Sequence, residues 1–365
     1  LSSYKLLFFA PARKNVYRNM GTFKQKPHYM KHTIAFLFLA GCFSAAVAQP
    51  GYHVTKTFRV ASPGGWDYPS VDPGSNRLYL SHGSQVNILD RGTGDSLGFI
   101  ANTTGVHGIA FVDAMGKGYT SNGRLNNVTV FDLKTGAQIT QIAVGKNPDW
   151  ILYDPYSKKV ITVNHSGGDL SVIDPATDKV VATIPVGGNA LETAVSNLAG
   201  KLYVNLEDKN EIAEVDIMNY TTLNHWALGA DGPTGLAIDV PNKRLFSTCD
   251  NTLVVMDAAN GNVVAKVPIG RGCDGAAFDP ATKLVFTSNG EGTVTVVKEV
   301  SKDKYEVAET VTTKRGARTI TLDEKTHALY LPTADYEPLP ADAPKGTRAK
   351  MIPGSFQVLV LERKS

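Results

Sequence analysis

Residues 170–187 read Leu170-Ser171-Val172-Ile173-Asp174-Pro175-Ala176-Thr177-Asp178-Lys179-Val180-Val181-Ala182-Thr183-Ile184-Pro185-Val186-Gly187: an alternating strand that ends in a carboxylate, a four-residue turn, and a second strand that stops at glycine. The first half of this unit returns along the chain. It appears as Val86–Asp90, Val128–Asp132, Ile212–Asp216 and Leu253–Asp257, with weaker copies at Val294–Lys298 and Val358–Glu362. A second landmark, where a short apolar strand meets a turn, falls at Asp72, Asp113, Asp154, Ser196, Asp239, Asp279 and Asp323. These positions are 41, 41, 42, 43, 40 and 44 residues apart. So even a spacing over most of the chain means seven copies of one supersecondary unit.

Working outward within the third copy, Trp150–Tyr153 is a short apolar strand closed by Asp154-Pro155, and Lys159–Asn164 is a second strand. His165–Gly168 turns the chain, Asp169–Asp174 is a third strand, and Lys179–Val186 a fourth. Strands of this length between Gly, Asn, Asp and Pro clusters are the β pattern. Four of them per unit of about 40 residues make a propeller blade. The last unit shows three strands (319–322, 328–331 and 356–361), and an orphan strand, His53–Val60, precedes the first unit. The expected fold is therefore all-β: a seven-bladed β-propeller of four-stranded antiparallel blades, closed by the N-terminal strand in the last blade. That closure removes an open sheet edge.

The quoted stretch, together with Tyr119-Thr120-Ser121-Asn122, Ile161-Thr162-Val163-Asn164 and Tyr203-Val204-Asn205, resembles the YVTN-repeat (YncE-like) propellers, relatives in architecture of the WD40 repeats. The resemblance runs from about Tyr52 to the C-terminus. It implies the fold and leaves the activity open, because function resides in sites carried by a fold.

The formal net charge is +3, but seven of the 37 Lys and Arg and none of the 34 acids lie in residues 1–48. The rest of the chain has 30 basic against 34 acidic residues, which argues against a nucleic-acid partner. Residues 30–48 have the form of a secretory signal peptide: Met30-Lys31-His32, an apolar run, then Ala46-Val47-Ala48 before Gln49-Pro50. Residues 1–29 read as sequence upstream of the true start, with Met20 a further start. The domain expected is a single propeller over 49–365, exported to the periplasm or secreted, monomeric, with no transmembrane segment once the signal is removed. A lipoprotein anchored at Cys42, in Leu39-Ala40-Gly41-Cys42, is the alternative. Cys249 and Cys273 remain, and export admits either a disulfide between them or two buried thiols.

Two sets of loops meet at one mouth of a propeller channel. At the entry to the first strands stand Trp66, Asp67, His107, Asp149, Trp150, Glu192, Asp231, Asp274 and Arg318. Between second and third strands stand His82, Asn122, His165, Asn205, Asp208, Asp250, Asn289, Glu291 and Asp335. Asn repeats at the ends of second strands, as expected of a residue that tolerates left-handed geometry and bonds its own turn. The Asp closing each third strand is expected to fix the following turn. The residues that differ between copies mark the ligand site: Trp66, Asp67, His107, Asp149, Trp150, Glu192, Asp274 and Arg318. Tyr336 and Arg348 join them from a 24-residue insertion in the last blade, Pro332–Ser355, read as a cover over the mouth.

No cofactor is required by the pattern. A divalent cation is compatible with His107, Asp149, Glu192, Asn205 and Asp274, whose oxygens and imidazole suit hard or borderline ions. There is no nucleophile elbow, phosphate-binding glycine loop or CxxCH motif. The function expected is that of an exported, non-enzymatic propeller that binds a small molecule or a protein at the mouth. The alternatives are a metal-dependent lactonase, hydrolase or lyase, and an accessory protein of a periplasmic quinoprotein or other redox system.

Overall fold

The computed structural model describes residues 51–338, 340, 347 and 349–363. The sequence readings placed on 1–29, on 30–48 with Cys42, and on Arg348 lie outside the described residues. Within the unit Gln49–Ser365 there are seven four-stranded antiparallel sheets, each in plain up-and-down order. In blade three the strands are Pro148–Asp154, Lys159–Asn164, Asp169–Asp174 and Lys179–Pro185. Blade seven takes Thr321–Asp323, Ala328–Thr333 and Gln357–Arg363 from the end of the chain and Tyr52–Arg59 from the start. Tyr52 faces Arg363 and Arg59 faces Gln357 across that closing pair. The first strands touch one another in sequence, and Trp66–Val71 meets both Val106–Val112 and Thr321–Asp323, so the ring is closed. Among the described residues helical structure is limited to three one-turn 3₁₀ segments. No helix among them is long and apolar enough to cross a membrane.

The core lies between blades, as a repeat with two apolar faces requires. Ile161, Val163, Leu170 and Val172 of blade three pack on Leu191, Leu202, Val204 and Val215 of blade four. Leu329, Leu331, Leu359 and Leu361 of blade seven pack with Tyr52 on Phe286, Val294 and Val296 of blade six. Each such fully buried side chain contributes about 1.5–3 kcal/mol.

Polar residues wire the same interfaces. In Tyr119-Thr120-Ser121-Asn122 the Tyr119 hydroxyl donates to Asp178 Oδ1 in the next blade at 2.9 Å. The Thr120 hydroxyl donates to Asn122 Oδ1 at 2.9 Å, and Asn122 Nδ2 donates to Thr129 Oγ1 of the third strand at 2.9 Å. Ser121 donates to the Asp149 carbonyl of the next blade at 2.6 Å. Tyr203 and Tyr330 likewise reach across to the carbonyls of Ala258 and Arg91. Asn164 and Asn289 repeat the Asn122 pattern with Ser171 and Thr295.

The buried asparagines are thus structural, though by a different mechanism from the one expected. They sit inside strands and bond across the sheet, with Asn122 at φ −118°. The left-handed positions fall one turn away, at Asn126, Asn147, Asn210 and Asn251. The Asp closing the third strand in the first five blades does fix its turn: Asp90 accepts from the N–H of Gly92 and Thr93, and Asp216 from those of Met218 and Asn219.

Candidate functional site

Five first strands carry a β-bulge at one level. In blade three Pro148 pairs with Asn164 and Trp150 with Val163, leaving Asp149 unpaired. In blade six Cys273 and Gly275 pair with Asn289 and Ser288, leaving Asp274 unpaired. The extra residue falls among 67–68, 107–108 and 192–193 in blades one, two and four. A bulge turns its side chain out of the sheet alternation, and here it turns Asp67, His107, Asp149, Glu192 and Asp274 toward the channel mouth. Thr234 and Arg318 hold the matching places, just before the first strands of blades five and seven.

Hydroxyls of the second strands, with Thr319 from the entry to blade seven, satisfy backbone groups at this level. The N–H groups of Asp67, Gly108 and Gly235 donate to Ser81, Ser121 and Thr248 at 2.9–3.0 Å. The carbonyls of Asp149, Arg318 and Asp67 accept from Ser121, Ser288 and Thr319, each in the preceding blade. The ring is therefore pinned blade to blade by its backbone as well as by its charges.

Those charges alternate. Asp149 Oδ1 lies 3.0 Å from His107 Nδ1, which lies 2.6 Å from Asp67 Oδ2. Asp67 Oδ1 accepts from Arg318 Nη2 at 3.2 Å, and Arg318 Nε donates to Asp274 Oδ2 at 2.6 Å. Five residues from blades three, two, one, seven and six thus form one chain of ion pairs. Glu192 lies beside it, 3.0 Å from His165 Nδ1.

Burial pushes the Asp149 carboxyl well above the usual carboxylate range, reinforced by the charges of Asp67, Glu192 and Asp274 against the pull of His107. Burial also raises Glu192 and Asp274, despite the opposing contacts of His165 and Arg318. For His107, burial favours the neutral ring, but the Asp67 hydrogen bond and the surrounding carboxylates outweigh it and raise its pKa. The Glu192 hydrogen bond holds His165 up at about 9. Beneath the ring Tyr68 meets Trp150 edge-on at 4.7 Å between centroids. Burial pushes the Tyr68 phenol well up, with the ring carboxylates adding to it.

Two cavities open on either side of Arg318. One of about 480 Å³ is lined by Trp66, Asp67, His107, Arg124 and the Pro63–Gly65 segment. The other, of about 610 Å³, is lined by Gly272, Gly290, Arg315, Gly316 and Tyr336. The insertion starts as a hairpin: Tyr336 bridges Met351, and the Glu337 N–H donates to the Lys350 carbonyl. Its Tyr336 ring stands 6.2 Å from that of Trp66. A Cβ on Gly316, whose φ is +86°, would come within 2.6 Å of the Tyr336 hydroxyl, so the hairpin stem can settle there only over glycine.

The structure brings Asp67, His107, Asp149, Asp274 and Arg318 into contact, sets Glu192 beside them, and stacks Trp150 below. Trp66 is buried against Phe356 and only lines a cavity. Two expectations are corrected. Asn205 is not available to a channel ion: its amide donates to the Thr234 and Gly235 carbonyls and accepts from Ser247, which ties blade four to blade five. Asp231 is exposed and held by Asn210, so Thr234 takes the ring place in blade five. Of the two readings left open for Cys249 and Cys273, the structure has the two separate buried thiols; Cys273 donates to the Gly275 carbonyl. His82 is also structural, buried on Phe356 and bonded to Ser62 and Gly64. Tyr68, Thr234, Arg315 and the serine clips were not singled out from sequence; the hydroxyl before the end of the second strand, at Ser81, Ser121, Thr248 and Ser288, was the available signal.

No protein-family model matches the chain, and no curated protein matches it in sequence. Among solved structures it is similar to a chain of Kuenenia stuttgartiensis hydrazine synthase, at 18% identity and a TM-score of 0.64, over 74% of this chain and 94% of that one. A likeness at that identity shows the fold, and with it the class: a seven-bladed β-propeller.

Proposed function

We propose that this is an exported, YVTN-type binding propeller whose ligand enters the channel mouth with a positively charged group toward the ring. The alternating chain Asp149–His107–Asp67–Arg318–Asp274 carries this reading. A purely structural position in a repeat tends to reuse one residue, whereas this level takes five residue types over the seven blades, three of them Asp. Four carboxylates, counting Glu192, face one guanidinium and two imidazoles. With all four carboxyls ionised the ring is net negative even with both imidazoles protonated, and a cationic group offsets the cost of ionising its buried acids.

The second reading, a divalent cation serving a hydrolase or lyase, is favoured by one observation. One ligand atom each of Asp67, His107 and Asp149 lies within 4.8 Å of the others. Two carboxylate oxygens and an imidazole suit such an ion.

One experiment separates the two. Residues 49–365 are dialysed, analysed for metal, and melted with putrescine or arginine methyl ester in one arm and with Ca²⁺, Mn²⁺ or Zn²⁺ in the other. A ligand of the folded state must raise Tm. The binding reading expects an amine response that Asp149→Asn abolishes; a response to divalent ions alone favours the metal reading; no response in either arm rejects both.

A further inference from the structure

The cavity of about 610 Å³ beyond Arg318 has the opposite character from the ring. Arg315 and Arg318 both line it, with Tyr336 across from them and the glycines 272, 290 and 316 leaving its floor without side chains. Carboxylates nearby are taken by other cations: Asp335 by Lys314, Glu291 by Arg271, and Asp67 and Asp274 by Arg318. Arg315 is left over. Among the described residues its guanidinium has no hydrogen bond and no ion pair, and neither Nη1 of Arg318 nor the Tyr336 hydroxyl has a partner. Burial raises the Tyr336 phenol, and the charges of Arg318 and Arg315 both pull it back.

We propose that this cavity is an oxyanion subsite, in which a carboxylate or phosphate group is held between Arg315 and Arg318 beneath Tyr336. Guanidinium groups present paired N–H donors that match the two oxygens of such an anion, and a phenol adds a third donor. The Arg318 side chain is the wall between this subsite and the ring, so one ligand carrying an anionic and a cationic end could span both. The subsite does not rest on the ring's own occupant: its donors are Arg315, Arg318 and Tyr336, and no ring acid lines its cavity.

The test uses residues 49–365 with inorganic phosphate and succinate as probes, at constant ionic strength set with chloride. Binding is read by titration calorimetry and by Tm. The expected result is a saturable response to at least one probe, weakened about tenfold or more in Arg315→Gln and less in Tyr336→Phe. Asp149→Asn, which removes the amine response, should leave the anion response in place, so the two sites fail separately. A response to phosphate alone assigns a phosphate-bearing ligand, and one to succinate alone a carboxylate. No response to either probe, or a response that Arg315→Gln leaves unchanged, overturns the subsite. Arg315 is exposed, so its loss does not threaten folding.

Discussion

His107 Nδ1 lies 2.6 Å from Asp67 Oδ2, and this contact joins the innermost strands of two blades through a proton held between them. It is one of a set with a common sign. His107, His165, Asp149, Glu192 and Asp274 all have pKa values raised in the folded protein, so folding takes up protons at the ring. For the imidazoles the stabilisation is complete below their ordinary value of 6.5 and is lost as pH rises through the folded value, about 9 for His165. The raised carboxyls act in the same direction. Tm should therefore fall between pH 6 and pH 9, and His165→Gln should flatten the slope. A Tm that rises over this interval would contradict the ring protonation described.

Ser121 is fully buried and serves two bulges, accepting from Gly108 and donating to Asp149. Ser121→Ala leaves both groups without a partner. Burying an unsatisfied polar group costs about 1–3 kcal/mol, which a urea midpoint will register with m unchanged. A loss below about 0.5 kcal/mol would mean that the clip is dispensable.

The closing strand offers an internal comparison. Phe58 is buried against Tyr330 and the turn at Gly94, whereas Val54, four residues earlier, is exposed. Phe58→Ala should cost about 3–5 kcal/mol and Val54→Ala less than about 0.5 kcal/mol. Equal small effects in chemical denaturation would place the strand outside the seventh blade.

Burial pushes the thiols of Cys249 and Cys273 up, to about 11 and about 12. The thiolate is the reactive form, so residues 49–365, which hold these two cysteines alone, should resist Ellman's reagent at pH 8 when native and release two equivalents when unfolded. Rapid native reaction, or the absence of free thiol after unfolding without reductant, would contradict the separate buried thiols.

The seven blades were legible because a 40-odd-residue spacing survives local irregularity, and the closing strand because the last unit lacked one of its four. The ring residues were legible for the reverse reason: Asp67, His107, Asp149, Glu192, Asp274 and Arg318 break the repeat at one level. What places them there was hidden. A bulge is a mismatch between two strands, so neither strand shows it alone, and Tyr68, one residue past the ring in its bulge, went unseen with it. Asp231 outranked Thr234 because a charge draws notice that a hydroxyl does not. Asn205 has the same residue type as Asn164, yet it bonds the next blade where Asn164 bonds its own third strand. Such a difference depends on packing between units.

Every fourth strand also skips a residue at one level: Leu97, Ile139, Val181, Leu223, Val264, Ala308 and, in the closing strand, Thr55 have no partner in the pairing register. These strands are the free edges of the seven sheets. Each edge is kinked midway, so an incoming straight strand keeps step with it for only a few residues before its hydrogen bonds fall out of phase. The kinks make the outer edges poor templates for fibre growth, although Leu97, Phe99 and Ile139 leave apolar surface exposed there.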